Sequence, residues 1–242
     1  KIIMENRAYK KIDSIYKNEI YLQNNKNWHQ EDSPYKASFV KKSIKRNNIS
    51  FRTCVDIGCG AGFVTELLAK EYPNSKFKGC DFSPDAAVFW DHRTKLDNLE
   101  FSNADVTSES NLHDLVICLD VFEHVEDYYL FLRSVRSVGK NFIFNIPLDM
   151  NVMKVLINGI KYAREEVGHL HYFSEYTALE TLKDCGFKIK DSFLSTAFLS
   201  TPPRNIRQGL VLPFRIATLA LGKSIGARIF GGQSLVVYVE RQ

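Results

Sequence analysis

The stretch TCVDIGCGAGF, residues 53–63, places three glycines at alternate positions directly after an apolar run that contains an aspartate. The apolar run predicts a buried strand at 53–57, and residues 62–71 have the pattern of the helix that follows it. In an open parallel sheet, ligands bind at the carboxyl ends of the strands, and glycines there let the backbone approach a ligand that a Cβ would exclude. The stretch therefore predicts a ligand site beside Asp56.

Two phosphate-binding patterns do not fit this stretch. The dinucleotide fingerprint G-x-G-x-x-G fails because Phe63 occupies the position of its last glycine. A Walker-type loop fails because no Gly-Lys-Ser/Thr follows. An acid ahead of the glycines favours a ligand that carries an ammonium group as well as a carboxylate over a pyrophosphate.

The rest of the chain alternates between apolar, β-branched segments and helical segments. The predicted strands are 53–57, 76–80, 99–102, 115–119, 141–146, 187–194 and 234–239. The predicted helices are 62–71, 84–94, 128–138 and 174–185. This order predicts an α/β fold with a mostly parallel seven-stranded sheet that is covered by helices on both faces.

Three segments fall outside this alternation. Residues 1–50 are helical and aromatic in pattern and are predicted to form an N-terminal helical lid on a main domain at 51–242. Residues 148–167 and 197–233 are too long to be simple connections, so they are predicted to be cap insertions.

Composition and charge narrow the class of protein. The 242 residues are 45% hydrophobic and 25% charged, which is ordinary for a globular chain. Lys and Arg outnumber Asp and Glu by twelve to five in 1–52 and by six to one in 197–242, whereas 53–196 has fourteen against twenty-two. This basic rim favours an anionic substrate or surface, and solvated lysines on helices are the alternative. Five cysteines without C-x-x-C spacing, and the lack of a signal peptide or membrane-spanning stretch, predict a cytoplasmic protein.

Four motifs in order resemble those of class I S-adenosylmethionine-dependent methyltransferases. They are VDIGCGAG at 55–62, GCDFS at 79–83, NADV at 103–106 and DLVICLDVFEHV at 114–125. A later segment, HLHYFS at 169–174 followed by a helix and CGF at 185–187, resembles the same branch. The resemblance implies a Rossmann-like fold, S-adenosyl-L-methionine as the cofactor and S-adenosyl-L-homocysteine as the product.

The resemblance also implies roles for individual residues. The acid that ends the second strand holds the ribose hydroxyls in this family, the third motif meets the adenine, and the fourth strand ends beside the methionine part. The implied cofactor-binding residues are Asp56, Gly58, Cys59, Gly60, Asp81, Phe82, Asp105, Val106 and Leu119. Asp81 takes the ribose role, while Phe82 and Val106 are either an adenine sandwich or plain core.

Two histidines are the candidates for a catalytic base. The sulfonium methyl group is already activated, so positioning carries most of the catalysis, and a hydroxyl acceptor gains further from a general base. His124 follows the fourth strand and His169 lies in the loop after the fifth, so both are predicted at the cofactor edge of the sheet. A structural role is the alternative for each, and it is favoured for His171.

The run Asp120-x-x-Glu123-His124 has a second interpretation. Two carboxylates and an imidazole at helical spacing can hold a divalent cation. The run is similar to the Glu-x-x-Glu-His run of quinone-biosynthesis O-methyltransferases, in which a metal has been implicated, although here the first acid is one carbon shorter. Acids at a helix N-terminus are the alternative, and we expect no metal.

The fold does not determine which molecule accepts the methyl group, because the cap insertions shape the site for this acceptor. The basic, apolar segment at 202–231 and its place before the last strand resemble bacterial methyltransferases of polysaccharide and secondary metabolism. We therefore expect O-methylation of a sugar-linked or phosphorylated small molecule. The alternatives are a quinone-precursor O-methyltransferase and a non-catalytic S-adenosyl ligand-binding module.

Other partners are less favoured. No Asn-Pro-Pro-Tyr signature follows the fourth strand, so a nucleic acid is not expected. Weak contact with a membrane surface is a less favoured alternative, because the basic positions of 202–231 do not share one helical face. The sequence does not indicate the oligomeric state.

Overall fold

The computed structural model describes residues 30–106, 112–196, 199, 206–220 and 222–242, without the side chains of 206–208 and 219. The first 29 residues of the predicted lid therefore lie outside the described part of the chain. Seven strands form one sheet: β1 (Thr53–Ile57), β2 (Lys76–Cys80), β3 (Leu99–Ser102), β4 (His113–Leu119), β5 (Gly139–Pro147), β6 (Phe187–Leu194) and β7 (Ser234–Arg241). Their order is β3-β2-β1-β4-β5-β7-β6.

Only β7 runs antiparallel to its neighbours, β5 and β6. The first five strands pair in parallel. The prediction of a seven-stranded, mostly parallel sheet is thus confirmed. The chain adds β2 and β3 on one side of β1 and places β4 and β5 on the other, so the strand order reverses between β1 and β4. Ligands of such sheets bind at this switch point.

Helices cover both faces of the sheet. They are α1 (Ser33–Arg46), α2 (Phe63–Glu71), α3 (Pro84–Ala87), α4 (Tyr128–Ser137), α5 (Val152–Leu156), α6 (Gly159–Tyr162), α7 (Glu175–Asp184), α8 (Ile206–Leu219) and α9 (Lys223–Phe230). Alternate residues of the central strands point to opposite faces, so Val116 joins one core cluster, while Leu115 and Ile117 join the other.

The two core clusters contain different helices. The first holds Leu132 of α4 and Leu182 of α7. The second holds Val40 of α1 and Leu68 of α2. The inner face of α1 is therefore part of the hydrophobic core of the domain.

Two local predictions need correction. The helix expected at 84–94 ends at Ala87 and gives way to a 3₁₀ turn at Trp90–His92. Here the indole N–H of Trp90 donates to the carbonyl of Gly60 at 2.9 Å, and the ring stacks on Phe101. These contacts stop the helix from continuing. After β4, Asp120 adopts a positive φ of 56° and a 3₁₀ turn follows at Phe122–His124, so Asp120 and Glu123 do not share a helix.

The two insertions lie against each other. Helix α9 packs on α5. The backbone N–H of Leu148 donates to the carbonyl of Gln233 at 3.2 Å, which joins the ends of the two segments. A Cβ on Gly231, whose φ is 60°, would lie 2.3 Å from Asn151, so this glycine allows the close approach. We call residues 148–167 together with the described part of 197–233 the cap.

Candidate active site

The glycine loop after β1 is built around left-handed backbone. Gly58, Gly60 and Gly62 have φ values of 74°, 53° and 76°, which side chains other than glycine rarely adopt. A Cβ on Gly58 would lie 2.5 Å from Val121, and one on Gly62 would lie 2.4 Å from the ring of Phe101. Packing against these side chains and backbone conformation both require glycine at these two positions.

Asp81, at the end of β2, holds the loop from the side. Its Oδ2 accepts from the backbone N–H of Gly60 at 2.8 Å, and its Oδ1 accepts from that of Ser83 at 2.9 Å. Burial raises the pKa of this carboxyl, and the two N–H bonds oppose the rise. Each carboxylate oxygen has a second lone pair, which is what two ribose hydroxyls would use. The ribose role of Asp81 stays a prediction.

Asp56 lies at the floor of the loop and is buried. Its Oδ2 accepts from the hydroxyl of Thr65, one turn into α2, at 2.7 Å. Burial raises the pKa of Asp56 to about 7, although Thr65 and the ammonium of Lys36 both lower it. A cationic group brought next to this carboxyl would favour its ionised form.

A cavity of about 390 Å³ opens in front of the loop. Among the predicted cofactor residues, it brings together Asp56, Gly58, Cys59, Gly60 and Leu119. The same cavity is lined by both predicted catalytic histidines, His124 and His169.

The four remaining cofactor predictions lie on the β2–β3 side, away from the lining of this cavity. Asp81 reaches it only through its bond to Gly60. Phe82 is 58% exposed and Asp105 is exposed, whereas Val106 is buried in the core with Ile57. Their contacts with adenine stay predictions.

The two cavity histidines face each other with ring centroids 4.8 Å apart. Nδ1 of His124 lies 3.1 Å from the carbonyl of Gly168. A carbonyl only accepts, so this nitrogen carries the proton and Nε2 has the lone pair. Burial and the neighbouring His169 lower the pKa of His124 to about 3, which keeps its ring neutral.

His169 is oriented by a buried acid. Its Nδ1 lies 2.5 Å from Oδ2 of Asp149, which follows β5, so Nδ1 donates and Nε2 has the lone pair. Burial acts to raise the pKa of Asp149, but the bonds from His169 and Lys154 outweigh it, and the net pKa is lowered. An ionised Asp149 would stabilise a positive charge formed on His169.

Glu123 is fully buried, and neither of its carboxylate oxygens has a hydrogen-bond partner among the described residues. Burial, and then the charge of Asp120, raise its pKa well above the ordinary value. One oxygen of Glu123 and one ring nitrogen each of His124 and His169 lie within 4.8 Å of one another. Burying an ionised carboxylate without hydrogen bonds costs free energy. Glu123 therefore either carries a proton or, together with His124 and His169, binds a divalent cation.

Asp120, the first acid of the run in the sequence, is bonded elsewhere. Its Oδ2 pairs with Nζ of Lys36 at 2.6 Å, and its Oδ1 accepts from the amide of Asn145 at 2.6 Å. The geometry thus places His169, and not Asp120, beside Glu123 and His124.

Three residues near the site were not predicted from the sequence. Asp149 lies two residues after the end of β5, so the same strand-end argument that selected His124 would have found it. Trp90 is close to the glycine loop only because its helix ends early. Lys36 lies on α1, before the sheet begins, and no spacing in the sequence connects it with Asp120.

Comparisons with known proteins agree with this geometry. A family model described as "Methyltransferase domain" matches residues 55–141. A ubiquinone biosynthesis O-methyltransferase of Rickettsia canadensis is 28% identical over 173 residues, which is 66% of this chain and 73% of the relative.

Solved structures share the fold. The magnesium protoporphyrin IX methyltransferase from Synechocystis with bound SAH aligns with a TM-score of 0.58 at 15% identity, over 97% of this chain and 93% of that one. The N-methyltransferase NodS from Bradyrhizobium japonicum in complex with S-adenosyl-l-homocysteine aligns with a TM-score of 0.59 at 15% identity, over 98% and 99%.

The reversal of strand order and the glycine loop at that point define an α/β fold with a ligand site at the switch point of the sheet. Together with these matches, they identify the chain as a class I S-adenosylmethionine-dependent methyltransferase, as the sequence motifs predict. S-adenosyl-L-methionine is the cofactor that the sequence motifs predict, and both of these solved structures hold S-adenosyl-L-homocysteine.

Proposed function

We propose that the enzyme methylates a hydroxyl oxygen on the aromatic ring of a quinone-precursor acceptor, with His169 as the general base. The observation that carries the proposal is the Asp149–His169 pair inside the cavity that the glycine loop also lines. The ubiquinone biosynthesis O-methyltransferase relative supports the acceptor class. No comparison supports the sugar-linked or phosphorylated acceptor that was expected first, which stays a prediction.

The chain's residues would act on one proton and one methyl group. S-adenosyl-L-methionine would supply the methyl group, and its sulfur would keep the electron pair of the broken bond to give S-adenosyl-L-homocysteine. As the acceptor oxygen takes up the methyl group, its proton would pass to Nε2 of His169. Asp149 stabilises the imidazolium that forms, as an orienting carboxylate does for other catalytic histidines.

The cavity also positions the cofactor. We propose that Asp56 and the loop of residues 58–62 hold the methionine part of the cofactor, because both lie at the switch point. Lys36 brings an ammonium group to the same cavity, where the carboxylate of the cofactor is the complementary charge.

If a divalent cation occupied the site, Glu123, His124 and His169 would hold it. It would supply Lewis-acid stabilisation of an ionised acceptor oxygen. Asp120 would not contribute in the observed arrangement, because Lys36 and Asn145 hold its oxygens.

The test is methyl transfer from labelled S-adenosyl-L-methionine to three acceptor classes. They are a short-chain prenylated catechol, a nucleotide sugar and a primary amine. We expect an aryl methyl ether from the catechol. An N-methyl product, or transfer to the sugar without transfer to the catechol, would overturn the proposal. The amine is included because the N-methyltransferase NodS shares the fold.

A further inference from the structure

The outward face of helix α8 is apolar, the reverse of what a water-exposed helix normally presents. Leu210, Pro213, Phe214 and Ala217 are all exposed and recur at intervals of three or four residues. This spacing places them on one face of the helix. Leu210 is 68% exposed and Phe214 is 58% exposed.

A polar contact with α9 fixes this orientation of α8. Thr218 is buried on the inner side, where its hydroxyl donates within the helix to the carbonyl of Arg215 at 2.9 Å. The guanidinium of Arg215 donates from Nη2 to the carbonyl of Phe230 on α9 at 3.2 Å, and burial lowers its pKa. The polar groups face the protein and the apolar groups face outward.

Exposed apolar side chains are concentrated in the cap. Eleven of the sixteen large apolar side chains that are exposed in the described chain belong to it. They are Met150, Val152, Val155, Leu156, Ile157, Tyr162, Leu199, Leu210, Phe214, Ile216 and Ile225. Large exposed apolar patches mark interaction surfaces, because water does not favour them.

The charge of the second insertion indicates the partner. Residues 192–239 contain no Asp or Glu, but they contain five basic residues. Two of these, Lys223 and Arg228, are exposed on α9. An anionic surface complements this charge, whereas a second copy of the chain docked through the same face would place like charges against each other.

We propose that the cap docks on an anionic lipid bilayer, with the apolar face of α8 at the headgroup boundary and the basic residues of α9 on lipid phosphates. This is the arrangement by which amphipathic helices bind a membrane surface. Among the described residues, no helix has the length and apolar character needed to cross a membrane. Pro147 and Ser234, which flank the cap segments, and Val167, the last residue of the first segment, line the cavity, so docking keeps the cavity next to the bilayer.

The test is co-flotation of the full chain with vesicles, without any acceptor. Vesicles of phosphatidylcholine with phosphatidylglycerol should bind the protein, salt should weaken the binding, and phosphatidylcholine alone should bind it far less. Leu210→Glu and Leu156→Glu should each weaken binding about tenfold. The matched control is Leu130→Glu on α4, which is 59% exposed outside the cap and should leave binding unchanged.

A second pair of variants tests the charge. Lys223→Gln and Arg228→Gln should each weaken binding to the anionic vesicles about fivefold. Lys188→Gln, an exposed lysine on β6, is the control and should have no effect.

Four outcomes would overturn the proposal. The first is no binding to anionic vesicles, and the second is equal binding by Leu210→Glu and Leu130→Glu. The third is that neither the wild-type protein nor Leu210→Glu binds vesicles, while the wild type is a dimer and the variant a monomer. This result would assign the apolar patch to contact with a second copy. A lower melting temperature for Leu210→Glu than for Leu130→Glu, without vesicle binding by the wild type, would assign it to another segment of this chain. Vesicle binding is measured apart from methyl transfer, so either proposal can fail alone.

Discussion

The two sides of the cavity differ in how their polar groups are partnered. On the glycine-loop side, Asp56 is bonded to Thr65, and Asp81 is bonded to Gly60 and Ser83. On the opposite side, which we call the acceptor side, Glu123 is buried with neither oxygen hydrogen-bonded among the described residues. A carboxylate that accepts hydrogen bonds is held in one position, whereas a buried carboxylate without them calls for a functional explanation. The comparison implies that cofactor binding and chemistry are separable by mutation.

His169→Ala has the largest expected effect. Loss of a general base lowers the rate by about 10² to 10⁴, while cofactor affinity should barely change because His169 lies on the acceptor side. Turnover and the affinity for S-adenosyl-L-homocysteine should be measured separately. His171→Ala is the control, since Nε2 of His171 contacts backbone carbonyls at Val125 and Glu126.

The same experiment on His124→Ala tests the second predicted base. If both single variants keep near-normal turnover, neither histidine is the base, and catalysis rests on alignment alone. If turnover and cofactor affinity collapse together, the histidine is structural and the two sides are not separable. Asp149→Asn should lower turnover less than His169→Ala and should shift its pH profile, because it only orients the imidazole.

Asp81→Ala should have the complementary effect. Loss of a charged acceptor that serves two ribose hydroxyls, and that also holds Gly60, should weaken S-adenosyl-L-homocysteine binding by about 3 kcal/mol or more. Calorimetric titration measures this, with the exposed Asp91→Ala as the control. Unchanged affinity would contradict the ribose assignment.

Most of the glycine-loop side could be predicted from the sequence, because short-range patterns build it. The bounds of β1, β2 and β3, and the place of Asp56 and Asp81 at strand ends, follow from apolar runs and turn residues. The acceptor side depends on long-range pairs. His169 meets Asp149 across an insertion, and Lys36 meets Asp120 from a helix that precedes the whole sheet. No local spacing encodes such pairs, so they emerge only when the fold is known.

The sequence predicts a cap insertion at 197–233, but neither its two helices nor the direction of their apolar face. The basic positions of this segment do not share one helical face, which argued against surface binding. The structure shows that the apolar positions of α8 share one. The inward bond of Arg215 to α9 fixes which side of α8 faces out.

In the absence of cofactor, Asp56→Asn should have a larger free energy of unfolding than the wild-type protein, and the difference should grow as the pH rises. The folded pKa of Asp56 is about 7, above the ordinary value of 3.8, so the folded state keeps a proton between these pH values that the unfolded state releases. Stability from this group therefore falls as the pH rises through this window. The variant removes that loss, and a gain of about 1–3 kcal/mol is expected at pH 8 relative to pH 5.

Denaturant unfolding of both proteins across this pH range measures the difference. Asp114→Asn is the control of opposite sign. The bond from Lys140 and backbone N–H groups lower the pKa of Asp114 to about 2, so its contribution is present at neutral pH and is lost in acid. A pH-independent difference for Asp56→Asn would show that burial does not hold its proton.

Chelation has the smallest expected effect. We expect turnover to survive EDTA, because the acid that opens the metal-like run of the sequence, Asp120, is occupied by Lys36 and Asn145. Without a cation, burial keeps a proton on Glu123, whose pKa is raised, and keeps the ring of His124, whose pKa is lowered, neutral. The control is Glu123→Gln, which keeps the shape and the neutral charge and should retain turnover. If EDTA abolishes turnover and magnesium restores it, and Glu123→Gln is inactive, the group binds a cation. His169 would then be a ligand and could not be the base, so the acceptor oxygen would lose its proton to another group.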